Sequence, residues 1–412
     1  MYSFYLRFAF FILLVSCKSA EVRISETIKL SSPGFVKTLE GIASQTFTKN
    51  NSVQIIPDGK ETFQVLFDMI TKAKRSIHIE SFFYGSDSTG TALTNLLIDK
   101  AREGVEIRII IDSWGSARIS SYITALKKIG VQVYFYNPMK FYNPVSYHIR
   151  NHRRLIIVDG HKAITGGFGL TAWWYSVRLD RTHVNDTQIY VEGESAAYVQ
   201  RIFAESWYRI SGELLAGKKI FPTKFEKKNT LVAPIGSEPN LGYDKFYRIF
   251  LLAIRSSEKE ILITTPYFLP DVAIVNELKK ALRRGVQVSL LLPDPKFVEE
   301  FPVVYASKRH YPKLVQLGMK LYHYKKRMLH SKRAVFDGKF SIVGSSNLDY
   351  RSLFINEEAD IMVYDTNIGK KLIDLFNKEI KNSRSISLEE TKDRNCLKKT
   401  FEGLWILLEF IL

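Results

Sequence analysis

Two histidines each stand two positions ahead of a cation: His152 before Arg154 and His330 before Lys332. Each cation is followed by four intervening residues and then Asp-Gly, at Asp159-Gly160 and Asp337-Gly338. A small-residue pair, Gly166-Gly167 or Gly344-Ser345, begins seven positions beyond each Asp. The two segments, NHRRLIIVDGHKAITGGFG and LHSKRAVFDGKFSIVGSSN, lie 178 positions apart. On an extended strand alternate side chains share a face, so this spacing sets an imidazole and a cation side by side. One such pair is a weak signal, but two in matching halves predict a shared pocket suited to displacement at a phosphate. One imidazole attacks phosphorus while the other protonates the leaving alkoxide. The cations hold the non-bridging oxygens and favour the charge that develops in the transition state.

The elements around these segments also come twice. KAKRSIHIESFFYGSDSTGTALTNLLIDKAREGVEIRIIID ends at Asp112, and AIRSSEKEILITTPYFLPDVAIVNELKKALRRGVQVSLLLPD ends at Asp294. Each reads as an apolar strand, an aromatic cluster, an amphipathic helix and a second apolar strand. Helical spacing shows in Leu93, Leu96 and Leu97, and again in Val275, Leu278 and Leu282. Strand, helix, strand predicts a βαβ unit with parallel strands, so the chain is an internal duplication. The halves are placed at 51–215 and 240–390, with a charged, irregular boundary between them. The histidine segments read as hairpins: Leu155–Val158 and Ala334–Phe336 run into the Asp-Gly pairs, which are two-residue turn signals. Asp before Gly favours a turn through its backbone hydrogen bonding, so the default role of Asp159 and Asp337 is structural.

Composition narrows the partners. The 412 residues are 46% apolar and 25% charged, as in a globular chain, and a net charge of +17 predicts an anionic partner. Two cysteines, Cys17 and Cys396, make no disulfide framework, and no CxxC or HExxH pattern suggests zinc. MYSFYLRFAFFILLVSC carries one base, Arg7, and an apolar run from Phe8 to Val15, which is too short to span a bilayer and reads as an export signal over 1–17. Leu14-Val15-Ser16-Cys17 resembles a bacterial lipobox, which places lipid on Cys17 and the protein on a membrane after export. Residues 18–50 read as a tether. The apolar tail, 397–412, reads as a helix that lies at a lipid interface or completes the core. Phe82-Phe83-Tyr84, Phe141-Tyr142, Trp173-Trp174-Tyr175 and Tyr267-Phe268 cluster near the predicted mouth, and exposure to lipid is expected at Trp173-Trp174, core packing at Phe82 and Phe268.

With these residues in view, the chain resembles the phospholipase D superfamily, marked by two copies of HxKxxxxD, each followed by a Gly-rich GxxN stretch. GVEIRIIIDSWGS, RNHRRLIIVDG, ITTPYFLPD, LHSKRAVFDGKFSIVGSSNLDYRSLFINEE and the apolar end are similar to bacterial cardiolipin synthases, and the likeness runs from about residue 60 to 412. The resemblance implies an α/β fold of two duplicated α-β-α sandwich halves, with mixed, largely parallel sheets, packed about a pseudo-twofold. It also implies a phosphohistidine intermediate, no metal and no cofactor. Carried over residue by residue, His330, Lys332, Asp337 and phosphate-binding Asn347 complete the second motif. His152 and Asp159 match in the first, and Asp186 and Glu358 match the carboxylates that orient the histidines. Arg154 stands where the family has Lys, and Gly169 where it usually has Asn. Two explanations stay open: an active site with a retuned clamp, or a decayed enzyme that binds lipid.

The expected function is phosphatidyl transfer, with His152 as nucleophile, His330 as acid and an anionic phospholipid as substrate. A second phosphatidylglycerol as acceptor gives cardiolipin, and water makes the same site a phospholipase D. A nuclease is the rival enzyme. Nucleic acid is not expected as partner, given the lipid anchor and the apolar tail, and no homo-oligomer is required, because one chain supplies both halves.

Overall fold

Each half is built on a central strand that is buried along almost all of its length, polar side chains included. Ser76–Ser81 and Glu106–Asp112 pair in parallel, and so do Glu260–Thr264 and Gln287–Pro293. The helices Ser88–Arg102 and Val272–Arg283 make the crossovers. Asp87 and Asp271 start these helices by accepting hydrogen bonds from backbone N–H groups of the first turn. Leu93 and Leu97 on one, and Val275, Leu278 and Leu282 on the other, are buried as the periodicity requires. This computed structural model describes residues 24–392 apart from 58, 117, 140–147, 176–182, 239–244 and 299–300. The expected signal with Cys17, Phe141-Tyr142, Cys396 and the tail at 397–412 lie outside the described residues.

The first sheet runs Gln132–Tyr136, Glu106–Asp112, Ser76–Ser81, Leu155–Val158, Lys162–Gly166, Gln188–Gly193, Asn51–Ile56. The second repeats that order as Lys320–Tyr324, Gln287–Pro293, Glu260–Thr264, Arg333–Phe336, Phe340–Gly344, Glu358–Tyr364, Leu231–Ser237, and adds Ser383–Ile386 at one edge. The sheets are mixed, and the expectation that they are largely parallel is corrected. In each, the three strands on the crossover side pair in parallel and the other ladders are antiparallel. The reason is local: a tight turn can only reverse the chain, so each histidine hairpin enters antiparallel. The turns span three residues rather than two, since Val158 pairs with Lys162 and Phe336 with Phe340.

Asp159 and Asp337 both take the left-handed region, with φ of 52° and 50°. Their carboxylates accept from three successive backbone N–H groups at the start of the neighbouring strand, Lys74 to Ser76 for Asp159 and Glu258 to Glu260 for Asp337. Asp lets each turn reach φ > 0 and staples it to the sheet.

The stretch read as a tether is corrected in its described part. Helix Pro33–Ala43 buries Phe35, Leu39 and Ala43 in the core of the second half, with the Phe35 ring edge-on to Phe340 at 5.4 Å. Thr48 bridges to Val232, so the segment is fastened before the first strand begins. The second half starts at Leu231, before the expected 240.

A third apolar cluster joins the halves: Leu155, Ile157 and Val191 of the first sheet share it with Val335, Val343, Ile361 and Val363 of the second. Helices Glu194–Ser211 and Thr366–Ile380 contribute Val199, Phe203, Leu372 and Phe376 to the same layer. Packing the sheets against each other sets the amino ends of the two hairpins face to face.

Candidate active site

His152 and His330 sit just ahead of Leu155–Val158 and Arg333–Phe336, where the backbone bridges to the opposite half. Backbone fixes both. His152 N–H donates to the Glu357 carbonyl at 2.9 Å, and His330 N–H to the Asn185 carbonyl at 2.7 Å. Since Glu357 and Asn185 immediately precede Glu358 and Asp186, each carboxylate is delivered to the histidine of the other half. His152 Nδ1 lies 2.9 Å from both carboxylate oxygens of Glu358, and His330 Nδ1 lies 3.0 Å from Asp186 Oδ2. The resemblance points to both carboxylates, but not to this exchange, because the pairing depends on how the halves pack.

The cations behave as the alternation predicts. Arg154 Nη2 approaches His152 Nε2 at 2.9 Å, and Lys332 Nζ approaches His330 Nε2 at 2.9 Å and the His330 carbonyl at 2.7 Å. Lys332 Nζ lies equally close, at 2.9 Å, to His330 Nδ1, so the cations do not assign the tautomer; the carboxylates do, since each Nδ1–H can donate to Glu358 or Asp186 and leave Nε2 as the acceptor. That tautomer leaves the Nε2 lone pair free for a phosphorus once an anion draws the cation away. Both histidines, both cations, Asp186, Glu358 and Asn347 are buried or nearly so. Among the described residues Asn347 Oδ1 has no hydrogen-bond partner, so the fold does not pin this amide through its oxygen.

The electrostatics follow from burial. Burial, then Arg154 and Lys332, hold the His152 imidazole well below its usual value. Burial and Lys332 push His330 down to about 3. Burial lowers Arg154 to about 10 and takes Lys332 well below the usual lysine range. Asp186 is held below the ordinary carboxylate range by its bond to His330, against burial. Burial pushes Glu358 up, opposed by the hydroxyls of Ser345 at 2.5 Å and Ser352 at 2.7 Å, which both donate to it.

An anion entering this site offsets the cations and raises both imidazole pKa values. At pH 6 binding of sulfate, an anion that does not titrate there, is therefore expected to take up protons. Calorimetry in buffers of different ionisation enthalpy checks this; release of protons would contradict it.

Asp159 and Asp337, expected within the motif, lie at the far ends of the hairpin strands and touch neither histidine. Three groups carry a role that the sequence does not assign. Arg153 is fully buried between the halves, donating to Ser206 Oγ at 2.6 Å, the Ser237 carbonyl at 2.9 Å and the Glu358 carbonyl at 3.1 Å, with Glu357 3.3 Å away. Ser345 and Ser352 hold Glu358. Trp174, expected at the surface with Trp173, is 4% exposed while Trp173 is 51% exposed. Phe268 packs in the core as expected, but Phe82 lies edge-on to the His152 ring at 5.3 Å with the Arg154 guanidinium 5.8 Å from its centroid.

Comparison with known proteins fits this geometry. Residues 66–207 and 250–380 match the family described as "Cardiolipin synthase, PLD-like domain", one stretch in each half. Cardiolipin synthase 2 of Bacillus anthracis is 31% identical over 377 residues, 90% of this chain and 72% of that protein. Cardiolipin synthase of Geobacillus kaustophilus (strain HTA426) is 31% identical over 377 residues, 90% of this chain and 73% of that protein. The chain belongs to the cardiolipin synthase family of phospholipase D-like proteins. Phosphatidylserine synthase of Haemophilus influenzae Rd KW20 shares the fold, with a TM-score of 0.71, 13% identity, and coverage of 92% of this chain and 99% of that one. The two departures from the phospholipase D pattern have places in this member of the family. Arg154 meets His152 as Lys332 meets His330, and Gly169 lies against the Trp174 indole, where an added Cβ would come within 2.9 Å of the ring. Among the described residues no helix is long and apolar enough to cross a membrane, and no cluster of His, Cys, Asp or Glu suits a metal ion.

Proposed function

We propose that the protein is a phosphatidyltransferase that moves a phosphatidyl group from phosphatidylglycerol to the hydroxyl of a second one, forming cardiolipin and glycerol. The observation that carries this is the pair of imidazoles, each with Nδ1 on a carboxylate of the opposite half and Nε2 beside a cation. In the first step His152 Nε2 attacks phosphorus, the bond to the leaving glycerol oxygen breaks, and that oxygen takes a proton from His330 Nε2. In the second step His330 recovers a proton from the incoming hydroxyl, whose oxygen displaces His152 from phosphorus. Asp186 supports the acid role of His330, because an ionised carboxylate on Nδ1–H stabilises the imidazolium once substrate neutralises Lys332. Arg154, Lys332 and Asn347 grip the non-bridging oxygens.

Contact with a membrane surface belongs to the same proposal. Trp114, Met139 and Trp173 are each more than half exposed, and all follow the carboxyl ends of first-half strands or hairpins, at the end of the sheet where the histidines lie. Indole rings favour the boundary between water and lipid. Export and lipid on Cys17 would keep that end near its substrate, and intact-mass analysis of the protein extracted from membranes reads the lipid directly.

Labelled phosphatidylglycerol in vesicles tests the activity. Cardiolipin and free glycerol are the expected products; phosphatidic acid alone would mean that water is the acceptor. Arg154→Lys is expected to stay within about tenfold of the parent, since the second half already works with lysine at the matching position. Turnover that arises only on making that substitution would mean the natural chain is a decayed enzyme.

A further inference from the structure

Superimposing the two histidine segments by their 178-residue offset equates Gly169 with Asn347 and Trp174 with Ser352. The side chains exchange size across this pair of positions. The second half has Asn347 with a small Ser352; the first has no side chain at 169 and an indole at 174. Contact explains the exchange. A Cβ on Gly169 would meet Trp174 Cζ3 at 2.9 Å and Phe83 Cβ at 3.0 Å, so the indole occupies the space a longer residue at 169 would need. The polar function is kept through the exchange. Ser352 Oγ donates to Glu358 at 2.7 Å, and Trp174 Nε1–H donates to Asp186 Oδ2 at 3.0 Å. Gly167 stands where the second half has Ser345, the other hydroxyl on Glu358, and Asp186 Oδ2 would lie 2.5 Å from a Cβ there. Among the described residues His330 and Trp174 are therefore the two side chains hydrogen-bonded to Asp186, and the Thr187 N–H at 2.8 Å adds a backbone donor. The indole also lies edge-on to the His330 ring at 5.4 Å.

We infer that Trp174 is a positioning residue for His330: seated in the space left by Gly169, it holds the Asp186 carboxylate by one hydrogen bond and the imidazole by one ring edge. The loss of asparagine at 169 is thus one side of a compensated substitution, and it does not mark decay. This inference rests on the phosphatidyl-transfer reading of the site. It also predicts that restoring the family residue is harmful. Gly169→Asn must displace the indole and loosen His330, whereas Gly169→Asn combined with Trp174→Ser rebuilds the second half's arrangement and should recover turnover relative to Gly169→Asn alone.

Trp174→Phe is the cleanest test, because it keeps the ring and removes the N–H. The expected result is a fall in kcat of about tenfold with KM little changed, as for partners that orient a reacting group through another residue. In a ¹⁵N-histidine spectrum the His330 Nδ1 signal is expected to shift, and its proton to exchange faster with solvent, while the His152 signals stay in place. A Trp174→Phe chain with wild-type kcat and an unmoved His330 signal would overturn the inference. So would a Gly169→Asn chain as active as the parent. A parent chain that transfers phosphatidyl groups to no acceptor would remove the functional reading alone, and the nitrogen spectrum of Trp174→Phe would still decide the role of the indole.

Discussion

Replacing either His152 or His330 by alanine is expected to abolish transfer, with kcat lowered by at least about 10⁴-fold in each case and little further loss in the double variant. Non-additivity is the informative part. The two rings serve one displacement, so removing one leaves the other nothing to complete. The variants should remain folded, because each residue is fastened to the scaffold by its backbone N–H, to the Glu357 or Asn185 carbonyl, and alanine keeps that bond. Assay with labelled phosphatidylglycerol, beside a denaturation curve, separates lost chemistry from lost structure. A His152→Ala chain with full activity would remove the two-histidine mechanism.

The second large effect falls on stability. Arg153→Met is expected to lower unfolding free energy by about 3–5 kcal/mol, the usual consequence of removing one partner from a buried ionic cluster. The guanidinium is wholly buried and answers Glu357 at 3.3 Å, Glu80 at 3.8 Å, two carbonyls and Ser206. Methionine fills the volume but removes the cation that faces Glu80, while Glu357 keeps Arg209 at 2.9 Å. The deficit should grow with pH. Burial already raises Glu80 to about 7, above its unfolded value, so folding takes up a proton there and stability falls as pH rises through that range. Losing Arg153 raises Glu80 further, so the variant should be weaker at pH 8 than at pH 6. Urea denaturation at the two pH values checks both parts. Because Arg153 also holds the Glu358 carbonyl, transfer should fall as well.

Much of this architecture is legible in the residues because its determinants are local. The βαβ units, the hairpins and the duplication all rest on hydrophobic period and on Asp-Gly turns, and each appears where its pattern lies. The shared face of His152 with Arg154, and of His330 with Lys332, also follows from alternation along one short segment. What escaped reading depends on contact between distant segments. Helix Pro33–Ala43 carries its own apolar stripe, but it lies outside the duplicated pattern and between polar stretches, and it passes for a tether until the second-half core receives Phe35 and Leu39. The exchange of Glu358 and Asp186 between halves brings each carboxylate to a histidine 206 or 144 positions away, which no spacing rule encodes. Arg153 looks like any exposed base beside a motif, and only the facing carboxylates give it a role. Trp174 reads as a surface aromatic because its partner is an absence: the missing side chain at Gly169.

The central claim is that phosphorus is displaced twice, once by His152 and once by the incoming alcohol. The stereochemical course at phosphorus tests it most directly. Phosphatidylglycerol made chiral by a single sulfur on phosphorus should give product with net retention, since each in-line displacement inverts and two restore the original hand. Net inversion would mean a single direct attack by the acceptor, with no bond between histidine and phosphorus.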